Sequence, residues 1–185
     1  FPEINYRELD LPDMAKIKTQ ALKILDQDAP EVLTADIFSA ELANIFQVFD
    51  SERPLVVISE GLINYFDKDM LHTLLKGITE YGQRFPEIHY LSDIYPEPVK
   101  NRLASFIWTC SRLLKFMSRS AFTFHFKSPQ ELQQFCQQTG FIAVEVKQPQ
   151  RYFAQPQQSN PTIEQDEHLG DLVWMIHATK KNSVE

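Results

Sequence analysis

Glycine is scarce in this sequence. Average usage of roughly 7% would supply about 13 glycines in a chain of this length, yet the 185 residues hold five: Gly61, Gly77, Gly82, Gly140 and Gly170. None of them builds a glycine-rich phosphate loop, which removes a dinucleotide or nucleoside-triphosphate fingerprint from these residues. Cysteine is scarcer still. Cys110 and Cys136 lack metal-ligand spacing and fall in segments that read as helical, so they are expected to be buried free thiols in a reducing compartment. There is no run of about 18 apolar residues and no charged, then apolar, then small-residue leader, so a soluble cytoplasmic protein is the expectation. Positive charge is in deficit as well. Eighteen Lys and Arg against 25 Asp and Glu leave a net charge of −7, a field that repels phosphate backbones and anionic lipid and argues against nucleic-acid or membrane partners. What remains is 43% hydrophobic and 12% aromatic, enough to bury one core, and one domain over 1–185 is the economical count.

Periodicity alternates strands with amphipathic helices. Residues 4–9 read as extended and end at Asp10. Pro12 then opens a helix whose apolar face is Met14, Ile17, Ala21, Leu22 and Leu25. Residues 31–35 form the next strand candidate, closed by Asp36, and Ser39 caps a helix carrying Leu42, Ile45, Phe46 and Phe49. The run Leu55, Val56, Val57, Ile58 has the pattern of a parallel strand covered on both faces. Asp67 caps a helix that buries Leu71, Leu74, Leu75, Ile78 and Tyr81 and ends near Gly82. Residues 88–94 read as a strand. The segment 97–120, helical in pattern over 99–118, is rich in aromatic and large apolar residues. Ser128, Pro129 and Glu131 make a capping box, and Gly140 stops the helix that follows. Residues 142–146 and 172–178 are closing strands, joined by a long Gln- and Pro-rich loop over 149–168. This order describes an open α/β sheet with an antiparallel edge.

In such sheets ligands bind at the carboxyl ends of the parallel strands. Those ends carry Glu8 and Asp10, then Asp36, then Glu60, then Asp93 with Tyr95. Acids at successive strand ends suit a ligand with a ribose, an amino group and a positive charge, and not a phosphate. Each acid is equally at home as a helix cap or a solvated carboxylate.

The segments Tyr6-Arg7-Glu8-Leu9-Asp10-Leu11-Pro12 with Lys16 and Lys18, Thr34-Ala35-Asp36, and Ser59-Glu60-Gly61-Leu62-Ile63-Asn64-Tyr65-Phe66 resemble the leucine carboxyl methyltransferase family. Those are S-adenosylmethionine-dependent O-methyltransferases, some acting on a protein C-terminal carboxylate and others on polyketides. The resemblance implies a Rossmann-like class I methyltransferase sheet with S-adenosylmethionine as cofactor. It places Asp10 at the ribose, Asp36 and Ile37 at the adenine, and Glu60 near the methionine part. Tyr65 is either a ligand contact or an aromatic packing a helix start. The resemblance also implies a first strand and glycine loop upstream of Glu8-x-Asp10-x-Pro12, at the centre of the sheet. Neither is present in residues 1–185, so the chain is expected to be the C-terminal portion of a longer domain.

The implied reaction moves a methyl group to a carboxylate or hydroxyl oxygen of a small molecule or peptide. A carboxylate needs no base, whereas a hydroxyl does, and His89 and Asp93 are the nearest candidates, His89 reading better as a packing residue. His72, His125, His168 and His177 have no spacing for a metal site, and none is expected. The acceptor is expected against the 97–120 helix, with Phe106, Trp108, Phe116 and Met117 lining an apolar pocket and Arg102, Arg112, Lys115 and Arg119 attracting an acidic group, or forming an ordinary helix core and solvated face. Two rival readings are a non-catalytic methyltransferase-like remnant serving as a binding module and a nicotinamide-dependent oxidoreductase. The second lacks a glycine fingerprint and leaves Glu60-Gly61 unexplained.

Overall fold

The computed structural model describes residues 4–97, 122–148 and 173–182. Strands and helices alternate in the order β1 (Leu9–Asp10), α1 (Pro12–Leu25), β2 (Leu33–Thr34), α2 (Glu41–Phe46), β3 (Leu55–Ser59), α3 (Lys68–Tyr81), β4 (Glu87–Ile94), α4 (Pro129–Gln138), β5 (Ala143–Lys147) and β6 (Trp174–Lys181). The sheet is in two parts. β1 and β2 form a parallel pair, and the other four strands run in the order β3-β4-β6-β5. β3 and β4 are parallel, while β6 is antiparallel to both β4 and β5, which gives the α/β architecture its antiparallel edge. The expected segment 97–120, the loop 149–168 and Cys110 fall almost wholly outside the described residues.

Local chemistry explains the helix ends. Asp67 accepts the N–H of Met70 at 2.7 Å and opens α3. Ser128 accepts the N–H of Glu131 at 3.2 Å, but Glu131 Oε2 reaches back to the N–H of Lys127 at 2.9 Å rather than to that of Ser128. That bond, together with Lys68, holds the Glu131 carboxyl below its ordinary range. Gly140 ends α4 at φ +104°, with Thr79 Oγ1 3.0 Å from where a Cβ would stand.

One core unites the elements. Leu71, Leu74, Leu75 and Ile78 of α3 and Leu132 and Cys136 of α4 pack on Leu55, Ile88, Tyr90, Ile94, Ile176 and Ala178 of the sheet. Burial pushes the Cys136 thiol and the Tyr90 hydroxyl up to about 12, as expected where charge would be desolvated. Tyr81, expected inside, lies on the rim at 37% exposure.

Two expectations about cover are corrected. β3 is buried on one face only: Val56 and Ile58 stand 50% and 66% exposed, because the described helices pack on the opposite face, against Leu55 and Val57. On α1 the helical spacing is present but its apolar face is not covered. Met14, Ile17, Ala21 and Leu25 are exposed, Leu22 is half-buried, and only Ala15 is buried. The strands at the start are also shorter than their patterns: the described pairing is confined to Leu9–Asp10 and Leu33–Thr34, with the Leu33 N–H donating to Glu8 O at 2.7 Å.

Candidate functional site

The parallel pairings put the acidic residues at one end of each sheet. Asp10 pairs with Thr34, and the N–H of Ala35 donates to Asp10 O at 3.3 Å, so Asp10 and the turn at Asp36 are neighbours. Ser59 pairs with Ser92 in the same sense, which sets Glu60 and Asp93 side by side. The two halves meet through an aromatic contact, Phe38 edge-on to Phe66 with centroids 4.7 Å apart. Leu9, Ile37 and Phe38 also pack against the core beneath the larger sheet.

Asp10 is already engaged. Its Oδ1 accepts the N–H of Leu11 at 2.9 Å and its Oδ2 meets Lys18 Nζ at 3.0 Å, while Glu8 lies 3.4 Å from the same ammonium. Lys18 holds the Asp10 carboxyl below its usual range, and the pair raises Lys18. Asp36 Oδ1 accepts the N–H of Phe38 at 2.9 Å, and its carbonyl accepts from Ser39 Oγ, whose own oxygen accepts from Glu41 N. Asp36 therefore builds the turn into α2, with Ile37 half-buried behind it. Glu60 is exposed. Gly61, at φ +61°, follows it and donates its N–H to Asp93 Oδ1 at 2.7 Å. Tyr65 is 48% exposed, its ring perpendicular to that of Phe122.

Three features escape sequence reading. Asn64, 2% exposed, donates to the carbonyls of Tyr95 at 3.0 Å and Thr123 at 2.8 Å and accepts the N–H of Tyr95 at 2.9 Å. His125 is buried with Nε2 unpartnered, and burial lowers its basicity although hydrogen bonds to the Phe66 and Ile63 carbonyls oppose this. His89 and His177 share a hydrogen bond of 3.0 Å with their rings stacked at 5.2 Å. That pairing sets His89 inside β4, short of its carboxyl end, as the strand pattern placed it. Only the antiparallel register of β4 and β6 brings these histidines together. Among the described residues, no group of three or more His, Cys, Asp or Glu is placed to hold a metal ion, and no described helix is long and apolar enough to cross a membrane.

Acids on the ends of parallel strands, joined by a tight Glu60-Gly61 turn, are the features on which the resemblance rested. Residues 1–79 match the family model for leucine carboxyl methyltransferase. The match covers all the quoted motifs. Solved structures agree on the fold: PigF with S-adenosylhomocysteine, TM-score 0.57 at 12% identity, covering 97% of this chain and 44% of that one; human N-acetylserotonin methyltransferase in complex with S-adenosylmethionine, 0.56 at 12%, covering 99% and 42%; and a candidate methyltransferase of Thermobifida fusca, 0.61 at 15%, covering 98% and 65%. These similarities show the Rossmann-like methyltransferase fold. The chain spans less than half the length of the first two structures. A search of curated proteins returns no match.

Proposed function

We propose that this chain carries the acidic half of the cofactor site of an S-adenosylmethionine-dependent O-methyltransferase. The observation that carries the reading is the clustering of Asp10 with Asp36 and of Glu60 with Asp93 at the carboxyl ends of parallel strands, the two pairs bridged by Phe38 and Phe66. The donor set fits such a cofactor. Carboxylates accept hydrogen bonds from ribose hydroxyls and an amino group and offset a positive sulfur, and they repel a phosphate. In this reading Asp10 holds the ribose, Asp36 and Ile37 the adenine, and Glu60 the methionine part, with Tyr65 alongside.

When bound, the cofactor supplies an activated methyl group on a sulfonium, and the chemistry of transfer is its own. The chain's part is to position and to exclude water. Lys18 anchors the Asp10 carboxylate, Asp93 fixes the Glu60-Gly61 turn through Oδ1, and its Oδ2 is the candidate to take a proton from a hydroxyl acceptor. His89 has no part in this.

We further propose that the complete domain includes an additional strand between β1 and β3. The outer edge of β3, which no described strand pairs with, and the separation of the described sheet into two parts support that reading. Isothermal titration of S-adenosylhomocysteine into residues 1–185 and into a form extended upstream tests both proposals. Binding by the extended form, with weaker or no binding by 1–185, is expected. Binding by neither favours the remnant that serves only as a binding module.

A further inference from the structure

The described helices back one face of the larger sheet, and on the other face the register of β4 and β6 draws two histidines together. His89 and His177 are 88 residues apart in sequence and so carry no ligand spacing. Their Nδ1 and Nε2 atoms nevertheless lie 3.0 Å from each other, with the ring planes 28° apart and the centroids separated by 5.2 Å. Thr179, directly opposite His89 in the ladder, completes the group. Its Oγ1 stands 3.4 Å from each of the two nitrogens.

A hydrogen bond between the imidazoles accounts for the 3.0 Å contact, but not for a hydroxyl set equally far from both rings. Three lone-pair-bearing atoms at these separations match one face of a coordination shell. Donors about 2.1 Å from a single ion stand about 3.0 Å apart at a right angle and about 3.4 Å apart at the tetrahedral angle.

The neighbours on the same strands suit that role. Imidazole nitrogens select zinc, copper and nickel over magnesium and calcium. To ligate through Nδ1, His89 must carry its proton on Nε2, and Glu87 Oε1 lies 3.7 Å from that nitrogen. A carboxylate behind a ligating imidazole fixes its tautomer and strengthens it as a donor. Glu145 stands opposite His177 on β5 and adds a second carboxylate to this face. Lys181 lies 3.7 Å from Glu87 and Lys147 lies 3.5 Å from Glu145, so these two ammonium groups are matched by carboxylates. The His89 side chain is 27% exposed, which gives an ion a way in.

We propose that His89, His177 and Thr179 form a site for a divalent transition-metal ion of the zinc type, a clip across β4 and β6. On binding, the proton between the rings moves to the outer nitrogen of the ring that carries it, so two neutral imidazoles take up the ion without releasing a proton. The site lies short of the acidic strand ends and does not rest on the methyltransferase reading.

The test is calorimetric titration of zinc chloride into the 185-residue chain, with magnesium chloride as the comparison and NMR of the histidine rings. One zinc per chain is expected, and magnesium is expected not to bind at these rings. His89→Ala and His177→Ala should each weaken zinc at least about tenfold, Thr179→Val less than that, and His72→Ala, which removes a histidine of α3, not at all. Should a variant fail to fold, the parent decides the matter: zinc must shift the ring signals of His89 and His177 together, ahead of that of His72. Zinc affinity unchanged in both His89→Ala and His177→Ala overturns the inference. So does an equal loss in His72→Ala, a first shift at His72, or one zinc shared between two chains.

Discussion

Gly61 donates its backbone N–H to Asp93 Oδ1 at 2.7 Å, tying the turn after β3 to the end of β4 across 32 residues of sequence. Asp93→Ala leaves that N–H without its charged acceptor. The bond is exposed, so the expected loss is about 1 kcal/mol or less of stability by urea unfolding, with faster amide exchange at Gly61 than at residues of α4. Exchange at Gly61 that stays unchanged would show that the turn holds its shape without Asp93.

Asn64→Ala strands the carbonyls of Tyr95 and Thr123 and the N–H of Tyr95 in a buried setting. A destabilisation of about 3 kcal/mol is expected by denaturant titration. Asn64→Asp is expected to do no better, since it turns a carboxylate toward two carbonyl oxygens in place of an N–H donor.

Lys18 depresses Asp10, so their attraction adds stability above the unfolded carboxyl value of 3.8, and this contribution is lost as pH falls through the lower folded value. Lys18 is itself raised, so the same contribution is lost again as pH climbs from 10.5 through its folded value. The partners are partly exposed, and Lys18→Met is expected to cost about 1 kcal/mol or less at neutral pH. The gap between variant and parent should close at both pH extremes. NMR titration should show the Asp10 carboxyl moving up toward 3.8 in the variant.

Gly140 and Gly61 both adopt positive φ, but their surroundings differ. Nothing lies within 4 Å of a Cβ at Gly61, whereas Thr79 Oγ1 stands 3.0 Å from one at Gly140. Thermal unfolding should rank Gly140→Ala below Gly61→Ala, the latter losing about 1 kcal/mol from backbone strain alone.

Much of the fold was legible because it rests on local rules. Asp67 before an apolar-periodic stretch announced α3, and Ser128-Pro129 announced α4, with caps at both places. The acids at strand ends were legible for the same reason, since each directly follows a strand pattern. Cover was not legible. The spacing of Met14, Ile17 and Leu25 identifies a shared helix face, but whether anything lies against that face depends on elements far along the chain. The candidate site shows the same division. Glu60 was readable beside Gly61, while Asn64 looked like any polar residue in a loop, because its partners Tyr95 and Thr123 lie 31 and 59 residues away.

Scarcity of glycine, excess of acid and the spacing of apolar residues follow from the chain alone. They settle an α/β order of elements and acidic strand ends, because capping and periodicity act within a few residues. Packing alone decided that β3 ends the order of described strands, that His89 meets His177, and that the Asn64 carboxamide joins the backbones of Tyr95 and Thr123. Each of those is a contact between segments whose sequences carry no mark of one another until the backbone hydrogen bonds set their register.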